Sequence, residues 1–135
     1  MRWIRAAIVA LLLPPLAGCT ASQEKVEALT QELIGVMLES ASVMEPIKDV
    51  PTAKAAEPKL AAIFDKMKGI KSRDVKTTER TQKAVMDKYR TQLQEAFHKM
   101  HFQIARIQSI RGAEDVGRQA MGMLEWFQAE GRGGS

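Results

Sequence analysis

Few side chains in this chain are suited to chemistry: one thiol at Cys19, two imidazoles at His98 and His101, and the thioether sulfurs of eight methionines. His98 and His101 lie three apart with Met100 between them. On a helix face that spacing suits a transition-metal clamp, and the soft Met sulfur favours Cu(I). On a helical wheel, however, His98 points nearly opposite to Met100, so the three do not converge on one ion within one helix. His98 and His101 are the candidate metal ligands of the chain, but the spacing favours two solvent-facing or flanking imidazoles, and no metal or other cofactor is expected.

Catalytic constellations are equally sparse. The sequence has no Gly-x-Ser-x-Gly turn, no glycine loop that cradles phosphate and no His-Glu-x-x-His pair. Glu24, Glu27 and Glu32, and further on Asp87 and Glu95, are spaced as solvated helix-face charges with lysines nearby. The expectation is a protein that is not an enzyme.

The elements that must position these residues are helical. The chain has 135 residues, 45% hydrophobic and only 5% aromatic, and its long runs avoid Gly and Pro, which favours helices packed through Leu, Met and Ala. Thr20 to Gln23 supply a cap, and Val26, Leu29, Leu33, Val36, Met37, Ala41 and Met44 recur at helical steps, predicting a helix over 22–45 that Pro46 ends. A second is predicted over 53–70, capped by Thr52 and kinked at Pro58, or shortened to begin at Pro58 with Glu57 as its cap; Gly69 and 71–76 form its way out. A third and longest starts at Thr77 or Thr78, with Met86, Tyr89, Leu93, Ala96, Phe97, Met100, Ile104 and Ile107 in near-heptad register until Gly112. A fourth is predicted over 113–128, where Gly117 and Gly122 either weaken it or admit a close neighbour. Each stripe is one-sided, so the helices must share a core. The expected fold is all-α, an antiparallel bundle of about four helices over 23–130, with 131–135 as a flexible tail. Most methionines fall on the stripes, where they fill core space.

Cys19 follows a cationic start (Arg2, Arg5), an apolar run from Ala6 to Leu13, the break Pro14-Pro15, and small residues. That layout is an export signal, and its apolar run is too short to span a bilayer about 30 Å thick. Leu16-Ala17-Gly18-Cys19 resembles the lipobox of bacterial lipoproteins. The resemblance implies cleavage between Gly18 and Cys19, so that 1–18 is a removed signal peptide. It also implies a diacylglyceryl thioether and an N-acyl chain on Cys19, with 19–22 as lipidated cysteine and short tether. Two or three acyl chains suffice for stable membrane attachment. Thr20 stands where many Gram-negative lipoproteins retained at the inner membrane carry Asp, so the resemblance favours the outer membrane if the host has one. The run from Ile47 to Leu60 also resembles a pattern in uncharacterised small helical bacterial envelope proteins, which carries no known activity.

Removing Arg2 and Arg5 from 20 Lys and Arg leaves 18 against 16 Asp and Glu, about +2 for the chain after the signal. That charge, taken as evenly spread, is too weak for a phosphate-binding stripe, and no nucleic-acid partner is expected. One residue departs from the solvated-face pattern: Phe102 lies across the third helix from Met100, beside His98. Phe102, and Trp126 on the fourth helix, are the candidate partner surface, unless helix packing covers them. The sequence therefore predicts a membrane-anchored envelope component that contacts another envelope protein, with small-molecule or metal binding as the alternative.

Overall fold

The computed structural model describes residues 22–73 and 76–132. Residues 1–21, on which the expected signal peptide, its cleavage site at Gly18 and Cys19 and the expected tether fall, lie outside the described residues, as do 133–135.

Four helices make up the described chain: α1 Gln23–Met44, α2 Val50–Ser72, α3 Glu79–Gln108 and α4 Glu114–Arg132. Ser22 caps α1 by accepting from the Lys25 N–H at 3.4 Å, as the polar run before the first stripe predicts. α2 begins earlier than expected. Its cap is Asp49, not Thr52 or Glu57: the Asp49 carboxylate accepts from the Thr52 N–H at 3.0 Å, while the Thr52 hydroxyl accepts from the Asp49 N–H at 3.1 Å. This reciprocal pair satisfies two free donors at once, and Pro51 in the first turn has no N–H to lose. The helix then continues through Pro58, which is solvent-facing, so water can serve the carbonyl that the proline leaves unbonded. It also continues through Gly69, which faces solvent. α4 runs to Arg132, so Gly131 and Arg132 belong to the helix and not to a tail.

Consecutive helices run antiparallel, as expected, but neighbours in space are not all consecutive. α1 packs most extensively on α3, and then on α2; α4 packs on α3 and α2. Glu27 meets Lys88 at 3.0 Å near one end, and Met44 meets Arg106 at the other, so α1 and α3 lie side by side and parallel. Glu57 with Gln119, and Phe64 with Trp126, make α2 and α4 parallel in the same way.

The shared core holds Met37, Met44, Ile47, Leu60, Met67, Met100, Ile104, Ile107, Val116 and Met123, each almost fully buried. The methionine stripes read from the sequence are core, with one exception. Val85 is 1% exposed and Met86 is 50% exposed, the reverse of the predicted stripe. A straight helix drifts about 20° per heptad against a strict seven-residue repeat. Two heptads before Met100 this drift is about 40°, which leaves positions 86 and 85 on either side of the Met100 direction, and packing beside Tyr89 and Ala96 selects Val85.

The turn between α3 and α4 is fixed by glycine. Gly112 has φ of +92°, and a Cβ there would come within 2.6 Å of Val50 Cγ2 at the start of α2. Of the two glycines in α4, Gly117 is buried and backs onto Gln108, where an added Cβ would stand 3.0 Å from Cγ; Gly122 faces open space. Close approach thus explains Gly117 and leaves Gly122 without a packing role.

Candidate interaction surface between α1 and α3

The candidate surface lies where the parallel helices α1 and α3 leave a seam on the outside of the bundle. α1 buries a wide face because it touches both α2 and α3: Ile34, Val36, Met37, Ser40, Ala41 and Met44 are all buried, and the Ser40 hydroxyl is satisfied by donating to the Met37 carbonyl at 2.7 Å. Leu38 is left pointing outward. α3 commits Ala96, Met100 and Ile104 to the core, which turns His98, Lys99 and Phe102 toward the seam. The result is an open groove with Leu38 and Ala41 on one wall, His98 and Phe102 on the other, and Glu45 and Lys99 among its polar lining. Phe102 is 65% exposed and Leu38 36% exposed, and with Met86 they are the large apolar side chains most open to solvent among the described residues.

The sequence-predicted residues separate into three places. Phe102 and His98 share the groove, as their positions on the helix predict, and no helix covers them. His101 turns away: its ring stacks on Phe97 with centroids 6.5 Å apart and planes 14° apart. Trp126 is half-buried on the other side of the bundle, edge-on to Phe64 of α2 at 5.7 Å, with Lys71 Nζ 5.8 Å from its ring. Phe102 and Trp126 therefore do not form one patch. Among the described residues no group of three or more His, Cys, Asp or Glu side chains is placed to hold a metal ion. Cys19 and Gly18 lie outside the described residues.

Beside the groove, Arg106 is a structural residue that the stripe pattern does not single out. Its guanidinium donates to the carbonyls of Met44 at 2.8 Å and Glu45 at 3.1 Å, and to the Ile47 carbonyl, while Nε donates to Gln103 Oε1 at 2.9 Å. These carbonyls lie at the end of α1 and in the turn after it, where Pro46 stops the helix, and the Met44 carbonyl accepts from the Ile47 N–H at 3.1 Å as well. The legible signal is indirect: the last turn of α1 contains no basic residue of its own, so any cation that serves it must come from another element.

Electrostatics adds anchoring at the helix starts. The Glu114 carboxyl is held below the usual carboxylate range by accepting from the Gly112 and Glu114 backbone N–H groups. Asp49 is lowered by the Thr52 hydroxyl and N–H. For Glu27, partial burial opposes ionisation, but hydrogen bonds from Lys88 and Gln23 outweigh it and its pKa falls.

Among the described residues no helix is long and apolar enough to cross a membrane. No protein-family model, no curated protein and no solved structure matches this chain.

Proposed function

We propose that this chain is a lipoprotein of a bacterial envelope, held to a membrane by acyl chains on Cys19, and that its bundle acts by docking a protein partner. The anchor reading is supported by the Leu16-Ala17-Gly18-Cys19 motif behind a cationic and apolar leader. The docking reading is carried by one observation: Phe102, 65% exposed, stands across an open groove from Leu38 on a surface otherwise rich in charge. A solvent-facing phenylalanine pays no structural role in the bundle, whereas an aromatic anchor beside charged rims is the usual make-up of an interface centre. The groove offers apolar contact at Phe102 and Leu38, with Lys99 and Glu45 to fix polar partners around it. The helix ends and core work as the frame that holds those side chains apart from one another.

The test is site-specific photocrosslinking in cells. A photoreactive residue at Phe102 is expected to give a discrete protein adduct that disappears on Leu38→Glu, in a chain whose helicity is unchanged. The same adduct is expected to be lost in Cys19→Ser, which should also leave the membrane fraction. An absent adduct with the anchored chain overturns the docking reading and turns attention to small-molecule or metal binding. A Cys19→Ser chain that stays in the membrane fraction overturns the anchor.

A further inference from the structure

The charge of the chain is not evenly spread, contrary to the reading from its total. Residues 66–83 hold seven Lys and Arg against two acids, Asp74 and Glu79, a net of +5 that leaves the rest of the chain after the signal at about −3. This run is the end of α2, the connection after it and the start of α3. Arg73, at the end of α2, pairs with Glu32 at 2.8 Å, and Lys88 in the early turns of α3 pairs with Glu27 at 3.0 Å. Both partners lie in the first half of α1, whereas Lys66 at the inner edge of the run pairs with Glu39 farther along at 2.9 Å, so the run from Lys68 onward gathers around the end of the bundle where α1 begins. α1 even runs on past the end of α2, where Val26 and Leu29 are only partly buried.

We propose that this basic end lies against anionic phospholipid headgroups. The proposal rests on the anchor reading above: Cys19 is three residues before Ser22, a span of at most about 11 Å, so an acylated Cys19 holds this end at the membrane surface. Lysines and arginines near an anionic leaflet are each attracted modestly, and a short tether makes the attractions act together. Lys68 and Lys71 extend their ammonium groups over the rings of Phe64 and Trp126, at 4.3 and 5.8 Å, which presents both charges on the shoulder of the same end. Lys76, Arg80 and Lys83 continue the positive surface along the start of α3 and are solvent-facing or next to solvent. Glu24, Glu79 and, next to Trp126 on α4, Glu125 share this end, and Glu27 and Glu32 neutralise Lys88 and Arg73; together they reduce the attraction without reversing it. The opposite end, with the Phe102 groove near it, then faces away from the lipid and toward a partner.

The experiment is lysine acylation footprinting of the full chain, purified as its host processes it. The chain is reconstituted with vesicles of phosphatidylcholine alone or of equimolar phosphatidylcholine and phosphatidylglycerol, and labelling is read residue by residue by mass spectrometry. In anionic vesicles, labelling of Lys68, Lys71, Lys76 and Lys83 is expected to fall by about threefold or more relative to neutral ones, while Lys54, Lys59 and Lys99 stay unchanged as internal controls. Salt at about 1 M is expected to erase the difference. Equal labelling in both vesicles overturns the proposal, and equal labelling with protection on adding polyglutamate reassigns the patch to an acidic protein. Flotation with neutral vesicles reports the anchor separately, so loss of the anchor and loss of the headgroup contact are told apart.

Discussion

Arg106 Nη2 donates to the Met44 carbonyl at 2.8 Å, and through this contact α3 completes the end of α1. The bond joins residues 62 apart in sequence and closes the interface between two parallel helices at the point where Pro46 ends α1.

Arg106→Met is expected to destabilise the bundle by roughly 1–3 kcal/mol, because the apolar stem is kept while the carbonyls of Glu45 and Ile47 lose the guanidinium and that of Met44 keeps only the Ile47 N–H. Arg106→Lys should recover only part of this, since one ammonium cannot span carbonyls as a planar guanidinium does. Urea unfolding followed by circular dichroism reads both, and equal stability of all three chains would show that water serves the α1 end as well.

Gly112→Ala meets two obstacles, a left-handed backbone and the Val50 methyl. We expect a loss of roughly 1–3 kcal/mol. Adding Val50→Ala should relieve the clash and leave the backbone cost, so the Gly112→Ala step should be less costly in the Val50→Ala background than in the native one. Thermal melts of the four chains of that cycle separate the two causes.

The drift of the α3 seam predicts opposite outcomes at adjacent residues. Val85→Ala removes two buried methyl groups and should cost roughly 1–3 kcal/mol, whereas Met86→Ala should fall within about 0.5 kcal/mol of the parent. If Met86→Ala is the costlier in denaturant, the strict heptad register is correct and the burial order is not.

Acid should weaken the fold through its capping carboxylates. Asp49 and Glu114 have folded-state pKa values below their ordinary 3.8 and 4.5. Their contribution is thus complete above those ordinary values and is lost as pH falls through the lower folded-state ones. Asp49→Asn keeps a capping oxygen but cannot titrate, so it should flatten the acid limb of stability against pH with little change at neutral pH. A limb of unchanged slope in both Asp49→Asn and Glu114→Gln would place the acid sensitivity elsewhere, with Glu27 and its Lys88 partner next to examine.

Phe102 illustrates what can be read from a sequence. Its place across the helix from Met100 follows from the fixed angle between successive residues, so spacing alone puts it off the main stripe, and the packing decides that no other helix covers it. The same question at Trp126 has the opposite answer, because Phe64 of another helix comes within reach and half-buries it.

By itself the sequence determined the all-α class, the four stripes, the ends at Ser22 and Pro46, and most of the core methionines, because helical period and local capping act over a few residues. The tertiary structure decided that α1 lies parallel to α3, that Arg106 serves Met44, that Gly112 must admit Val50, and that residues 68–83 gather toward the start of α1. Those depend on which helices meet, and no local pattern encodes a contact between residues 60 positions apart. The seam at Val85 stands between the two, since helical drift is a local property and becomes visible only when a neighbouring helix selects the face to bury.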